Sequence, residues 1–163
     1  GRLNHEKGLT DLLKAWRSSE IEDMKLIIIG TGELFEPLKA EYSSDNIIFL
    51  GELNNNVTKD YIRDSRAVIT ATKMYEGQPR LLCEASSYGV PSIYPSFGGM
   101  DEYFPEEYNY SFTQFDYEDL VTKIHDLRNK NQLIKESIRV FEHIGTQFSM
   151  ENASKVFNEI LCK

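Results

Sequence analysis

Two carboxylates eight residues apart, Glu76 and Glu84, bracket the segment Glu76-Gly77-Gln78-Pro79-Arg80-Leu81-Leu82-Cys83-Glu84. Gly77 permits a tight or left-handed turn. Pro79 suits the first position of a helix, where its missing N–H is not needed. A helix starting there aims free backbone N–H groups and the positive end of its dipole into the preceding loop, which makes a cradle for a diphosphate. Glu84 falls just over one turn into that helix, where its carboxylate can accept hydrogen bonds from a vicinal diol such as a ribose. Glu76 stays in the loop, nearer the place a transferred group would occupy. Spacing alone is also satisfied by two solvated carboxylates flanking an ordinary turn.

Other chemistry is sparse. Gly30-Thr31-Gly32 has Phe35 where a dinucleotide fingerprint needs its third glycine. The three histidines, His5, His125 and His143, have no paired i, i+4 spacing for a metal. No Asp-x-Asp occurs, so no metal site is expected, and His5 reads as an exposed loop residue. Two cysteines, Cys83 and Cys162, are too few for a disulfide framework and read as small buried hydrophobes in a reducing cytoplasm.

The elements that must position these groups alternate. Near-continuous apolar runs at Lys25–Ile29, Asn46–Leu50, Ala67–Ala71 and Val90–Tyr94 read as strands of a parallel sheet covered on both faces. Between and after them, Leu9, Leu12, Leu13 and Trp16 fall at helical spacing, as do Leu120, Val121, Ile124 and Leu127. Ala153, Val156, Phe157, Ile160 and Leu161 make a further stripe, and Thr58–Ser65 and Leu81–Tyr88 shorter helices. The class is therefore α/β, a Rossmann-like three-layer domain. Ligands of such sheets bind where loops leave the carboxyl ends of strands. Those loops are Gly1–Gly8, Gly30–Glu33, Gly51–Asn56, Thr72–Pro79 and Pro95–Asp101.

At 163 residues, 40% hydrophobic and 27% charged, the composition fits one soluble globular domain with no internal repeat or linker. No apolar run approaches the length of a membrane span. The net charge of −8, with no cluster of Lys and Arg, excludes phosphate-backbone tracking and so nucleic-acid binding. The chain opens at Gly1 in mid-motif, as expected of a fragment whose first strand is cut short or absent.

The Glu76–Glu84 segment resembles the E-x7-E signature of the retaining "group 1" glycosyltransferases of the GT-B fold. Gly1-Arg2-Leu3-Asn4-His5-Glu6-Lys7-Gly8 is similar to that family's G-R-L-x-x-E-K-G opening. Leu26–Glu33, Ile47–Gly51, Gly89-Val90-Pro91 and Gly98-Gly99 follow in the family's order. Together these elements cover roughly Gly1 to Glu102. Three positions depart from the pattern: Lys73 before the E-x7-E loop, Arg80 within it, and Asp101 after the Gly pair.

The resemblance implies the following. The chain is the C-terminal, donor-binding half of a GT-B enzyme that transfers a sugar from a nucleotide diphosphate sugar to an acceptor hydroxyl. Transfer retains anomeric configuration and requires neither metal nor cofactor. Arg2 and Lys7 hold the diphosphate and stabilise its charge as the sugar leaves. Glu76 contacts the donor sugar, and the backbone of Gly77, Gln78, Pro79, Arg80 and Leu81 faces sugar and phosphate. Glu84 binds ribose, and main-chain groups around Gly51–Leu53 border the base. The acceptor, a sugar or lipid-linked sugar in polysaccharide assembly, would bind a missing N-terminal domain. The whole enzyme is expected in the cytoplasm, peripheral membrane association being possible. The alternatives are a GT-B-related nucleotide-sugar epimerase or phosphorylase and a non-catalytic nucleotide-binding module. Lys73 either meets phosphate or acceptor or faces solvent, and Arg80 either reaches an anion or faces solvent.

Overall fold

In a computed structural model, which describes residues 1–77, 79–149 and 152, apolar runs and amphipathic stripes alternate as the sequence predicts. The order is α1 (Leu9–Ser18), β1 (Leu26–Ile29), α2 (Phe35–Tyr42), β2 (Ile47–Gly51), α3 (Asn55–Arg63), β3 (Val68–Ile69), α4 (Arg80–Ser87), β4 (Ser92–Ser96), β5 (Ser111–Thr113), α5 (Tyr117–Asp126) and α6 (Lys130–Gln147). Single 3-10 turns occupy His5–Lys7 and Met100–Tyr103.

All strand pairings in the named elements are parallel, in two groups: β1 with β2, and β3–β4–β5. The expected strands appear within one or two residues of their apolar runs. Residues Ser92–Pro95 of β4 are buried whichever face they point to, and both α4 and α5 pack on this strand. Helices on both faces explain why these strands do not alternate apolar with polar.

The α1 stripe is fully realised: Leu9, Leu12, Leu13 and Trp16 are all buried, and α1 packs on α5. From α5, Leu120 and Ile124 enter the same core. Side chains buried this completely contribute roughly 1.5–3 kcal/mol each. Helix α3 starts three residues before the expected Thr58, because the Asn54 side chain accepts the Val57 N–H at 2.9 Å and caps it.

Three elements have no counterpart in the sequence reading: α2, β5 and the 18-residue α6. Helix α6 packs on α4 and carries Glu136, whose side chain is wholly buried. Its carboxylate accepts from Asn109 Nδ2 at 2.6 Å and from Arg139 Nη1 at 2.8 and 3.0 Å. Tyr108, in the segment between β4 and β5, pins β4: its hydroxyl accepts the Ser92 N–H at 2.8 Å and donates to the Ser92 carbonyl at 3.1 Å. The apolar stripe from Ala153 to Leu161, and Cys162, lie outside the described residues. Cys83 is a free thiol, half-buried rather than buried, and partial burial pushes its pKa up.

Candidate donor site

The loops at the carboxyl ends of the strands are sewn together mainly by main-chain hydrogen bonds. In the first loop, the Asn4 side chain accepts the Lys7 N–H at 3.2 Å and shapes the turn that presents Lys7. Gly8 then lies at φ +66°, and a Cβ there would stand 1.8 Å from the Ala71 carbonyl oxygen. Only glycine allows this approach, which clamps the first loop against the end of β3. The Lys73 N–H donates to the Glu6 carbonyl at 2.8 Å and joins the same loop to the 72–79 loop. The Gly99 N–H donates to the Glu76 carbonyl at 3.3 Å, and the Tyr103 hydroxyl to the Gly77 carbonyl at 3.0 Å. Glu76 thus sits where three loops meet.

Its carboxylate faces Lys7 across 69 positions of sequence, with Lys7 Nζ 2.5 Å from Glu76 Oε1. Both side chains are partly open to solvent, 39% for Lys7 and 25% for Glu76. Arg2 is exposed nearby and has no ion pair among the described residues. A single cleft of about 1120 Å³ is lined by Arg2, Lys7, Glu76, Pro79, Arg80 and Leu81, and continues between β1 and β3.

At the start of α4 the structure corrects one detail. Pro79, expected as the first helical residue, is the N-cap, and α4 begins at Arg80. The Pro79 carbonyl accepts the Leu82 and Cys83 N–H groups at 2.9 and 3.0 Å. The N–H groups of Arg80 and Leu81 are left at the free helix end, with the positive end of the dipole. The helix therefore begins one residue later than expected. Arg80 is exposed on the cleft and has no ion pair among the described residues.

Other predicted residues lie apart. Glu84 is on α4 as expected, but its carboxylate is 3.5 Å from Lys59 Nζ and it does not line the cleft. Gly51 ends β2, and its carbonyl accepts the Gly30 N–H at 2.7 Å. Gln78 lies outside the described residues. Lys73 is exposed, and its Nζ pairs with Asp11 at 2.6 Å. Asp101 accepts from the Tyr94 hydroxyl at 3.1 Å and the Ser96 hydroxyl at 2.6 Å, so it braces the end of β4. His5 is exposed, as expected.

Sequence reading missed Lys59, Thr72 and Tyr103. Thr72 is buried, with its hydroxyl 3.5 Å from the Glu6 carbonyl and accepting the Met74 N–H at 3.3 Å. A small hydroxyl at the end of an apolar run was the available signal. For Lys59 there was none, because its partner is brought by the fold. Among the described residues no cluster of three His, Cys, Asp or Glu could hold a metal.

Residues 1–140 match the family described as glycosyl transferases group 1. The chain belongs to the group 1 glycosyltransferase family. A curated relative, the amylovoran biosynthesis glycosyltransferase AmsD of Erwinia amylovora, is 33% identical over 97 residues, 57% of this chain and 27% of that protein. The apo lipopolysaccharide outer core galactosyltransferase WaaB superposes with a TM-score of 0.79 at 24% identity, over 99% of this chain and 47% of its own. HepE of Anabaena, solved with UDP, gives a TM-score of 0.80 at 17% identity and the same coverages. The catalytic domain of the cholesterol-α-glucosyltransferase of Helicobacter pylori gives 0.78 at 19% identity, over 88% of this chain and 92% of that one. These structures establish the Rossmann-like GT-B half as the fold. The chain spans about a quarter of its curated relative and under half of WaaB and HepE. Among the described residues no helix is long and apolar enough to cross a membrane.

Proposed function

We propose that this chain is the donor-binding half of a retaining, metal-independent glycosyltransferase that uses a nucleotide diphosphate sugar. The observation that carries the reading is the meeting of Lys7 and Glu76 at the free N-terminal end of α4, with Arg2 and Arg80 on the same cleft. A diphosphate placed there meets two or three cations and two unpaired backbone N–H groups, which are strongest where charge grows as the sugar–phosphate bond breaks. Glu76 holds the sugar by its hydroxyls and keeps Lys7 beside it while the cleft is empty. The departing phosphate oxygen takes the acceptor proton on the face it leaves, so configuration is retained. The two glutamates are therefore binding groups, unlike the acid and base of a glycosidase. The ribose role of Glu84 requires it to exchange Lys59 for the diol.

HepE, solved with UDP and with UDP-glucose, supports a uridine nucleotide as the first donor to test. The acceptor site, for a sugar or lipid-linked sugar in polysaccharide assembly, belongs to a second domain of a longer protein. That protein works in the cytoplasm or at the inner membrane face. The test is a titration of this chain with UDP, GDP, ADP and their sugar conjugates, following backbone amide shifts. Shifts at Arg2, Lys7 and 77–84 for one base support the reading, even at millimolar affinity, worth only about −4 kcal/mol. Sugar transfer by the isolated chain refutes the division of labour. Unchanged activity of Glu76→Ala in the longer protein refutes the role of Glu76.

A further inference from the structure

Helix α6 has two apolar faces, and only one of them is covered by the described residues. The face carrying Glu136, Ser137 and Val140 turns into the protein, where α6 packs on α4 and the Ser137 hydroxyl donates to the Gly89 carbonyl. On the other side Ile134, Ile138 and Phe141 stand 59%, 54% and 57% exposed. Gly145 follows, with open space where a Cβ would stand. The steps from Ile134 to Gly145 are four, three and four residues. That is the 3.5-residue repeat of a two-helix seam, narrower than the stripe a helix lays on its own domain. Three neighbouring apolar side chains so exposed offer roughly 300 Å² of apolar surface, a size at which such patches are often functional. Phe148 continues the spacing but stacks on Tyr103 with ring centres 5.2 Å apart, so the seam ends at Gly145.

The charges bordering the seam decide what lies on it. With Ile134 and Phe141 at d positions of a heptad and Ile138 and Gly145 at a positions, Lys135 and Glu142 fall at e, where charge sets partner and orientation. Both are exposed, and neither enters an ion pair among the described residues. We propose that α6 pairs antiparallel with α6 of a second copy of this chain. In that pairing a residues of one helix meet d residues of the other, so Ile138 meets Phe141 and Ile134 lies over Gly145. The same register sets Lys135 opposite Glu142 of the second copy. A two-fold axis repeats every contact, so both borders of the seam are attractive. A parallel pair would instead bring Lys130, at g, against Lys135 of the second copy, a like-charge contact. A lipid surface calls for a basic border, which one Lys and one Glu do not make. An 18-residue helix is about 27 Å long. One helix seam is small for a protein interface, so the dimer forms and separates at roughly micromolar concentration.

None of the seam residues lines the donor cleft, and the test uses no nucleotide, so the dimer and the donor reading fail separately. Sedimentation equilibrium of the 163-residue chain and of the longer natural protein, from about 1 to about 500 μM, should show monomer and dimer in exchange. If the two disagree, the longer protein decides. Lys135→Glu and Glu142→Lys each turn two attractive contacts into two repulsive ones, and each should weaken the dimer at least about tenfold. Mixed in equal amounts, these two variants should pair with each other, because each carries the charge the other lacks; the double variant should pair with itself like the natural chain. Ile138→Gln, at an exposed position, should abolish the dimer with the melting temperature of the monomer unchanged. The proposal is overturned if the longer protein stays monomeric at about 500 μM. That outcome means either that residues 150–163 or a second domain covers the stripe, or that the stripe lies on a membrane, which co-sedimentation with anionic vesicles, lost in Ile138→Gln, would show. A dimer that survives Ile138→Gln, or single-charge variants that fail to pair on mixing, overturns it as well.

Discussion

Replacing Lys7 by Met separates a binding cation from a structural one. The Lys7–Glu76 pair is short, 2.5 Å, but its side chains are 39% and 25% exposed. Water screens a pair so placed, and it contributes about 0–1 kcal/mol to folding. Met keeps the aliphatic length of the side chain, so little packing is lost. Towards a diphosphate the same ammonium makes a charge-assisted bond worth about 1.5–3 kcal/mol, or roughly 10- to 150-fold in affinity. Lys7→Met should therefore move the urea midpoint by less than about 1 kcal/mol equivalent while weakening UDP binding at least about tenfold. Glu76→Gln should behave differently: it frees Lys7 from its ion-pair partner, so free UDP binds no worse, whereas UDP-sugar loses the contact to its hydroxyls. A double-mutant cycle on stability isolates the pair itself, and a coupling above about 1 kcal/mol marks it as structural. Loss of several kcal/mol of stability with unchanged UDP affinity in Lys7→Met refutes the assignment of this cation to the donor.

Gly8→Ala should destabilise by about 2–5 kcal/mol, the sum of a left-handed alanine and an overpacked contact with Ala71. Gly145→Ala, on α6 with open space around it, should instead stabilise by about 0.5–1 kcal/mol, and equal effects in urea unfolding would contradict both. Arg139→Met strands the buried Glu136 carboxylate with Asn109 and should cost about 3–5 kcal/mol, an effect absent if a solvated carboxylate were involved. Burial pushes the Tyr94 and Tyr108 phenols up, and Tyr117 is pushed up to about 12 by burial and nearby Asp11. Above about pH 10 the unfolded chain loses these protons first. Melting temperature should therefore hold below that pH and fall above it, and a flat profile up to pH 12 would contradict the burial of these rings.

The strands were legible because helices on both faces demand apolar residues at every position, as in Leu26–Ile29 and Ile47–Leu50. The buried stripe of α1 was legible for a related reason, since Trp16 sits two turns after Leu9 on one face. Helix α6 was not, because Ile134, Ile138 and Phe141 are 59%, 54% and 57% exposed while Glu136 is buried, which inverts the expected pattern. For α2, a Pro within the first turn and an N-terminus with no side-chain cap removed the usual start signal. The three-residue β5 is too short to carry a period. At the site, Gly77, Pro79 and the Glu spacing pointed to Glu76 and the start of α4, whereas Arg2 and Lys7 were singled out only by the resemblance of Gly1–Gly8 to the family's opening. The pairings Lys59–Glu84 and Lys73–Asp11 were invisible, because distant segments meet only through the completed fold.

The three loops around Glu76 are joined chiefly through peptide groups: Lys73 N–H to Glu6 O, and Gly99 N–H to Glu76 O. Peptide groups are the same whatever residue carries them. The side chain of Met74, exposed at this rim, can therefore be exchanged without loosening the loops that hold the Glu76 carboxylate, whereas the exposed Tyr75 and Phe97 rings also meet edge to face at 6.1 Å. Such an arrangement separates what shapes the rim from what holds the loops, so an exposed side chain there can change the surface offered to a ligand while the peptide links beneath it stay as they are.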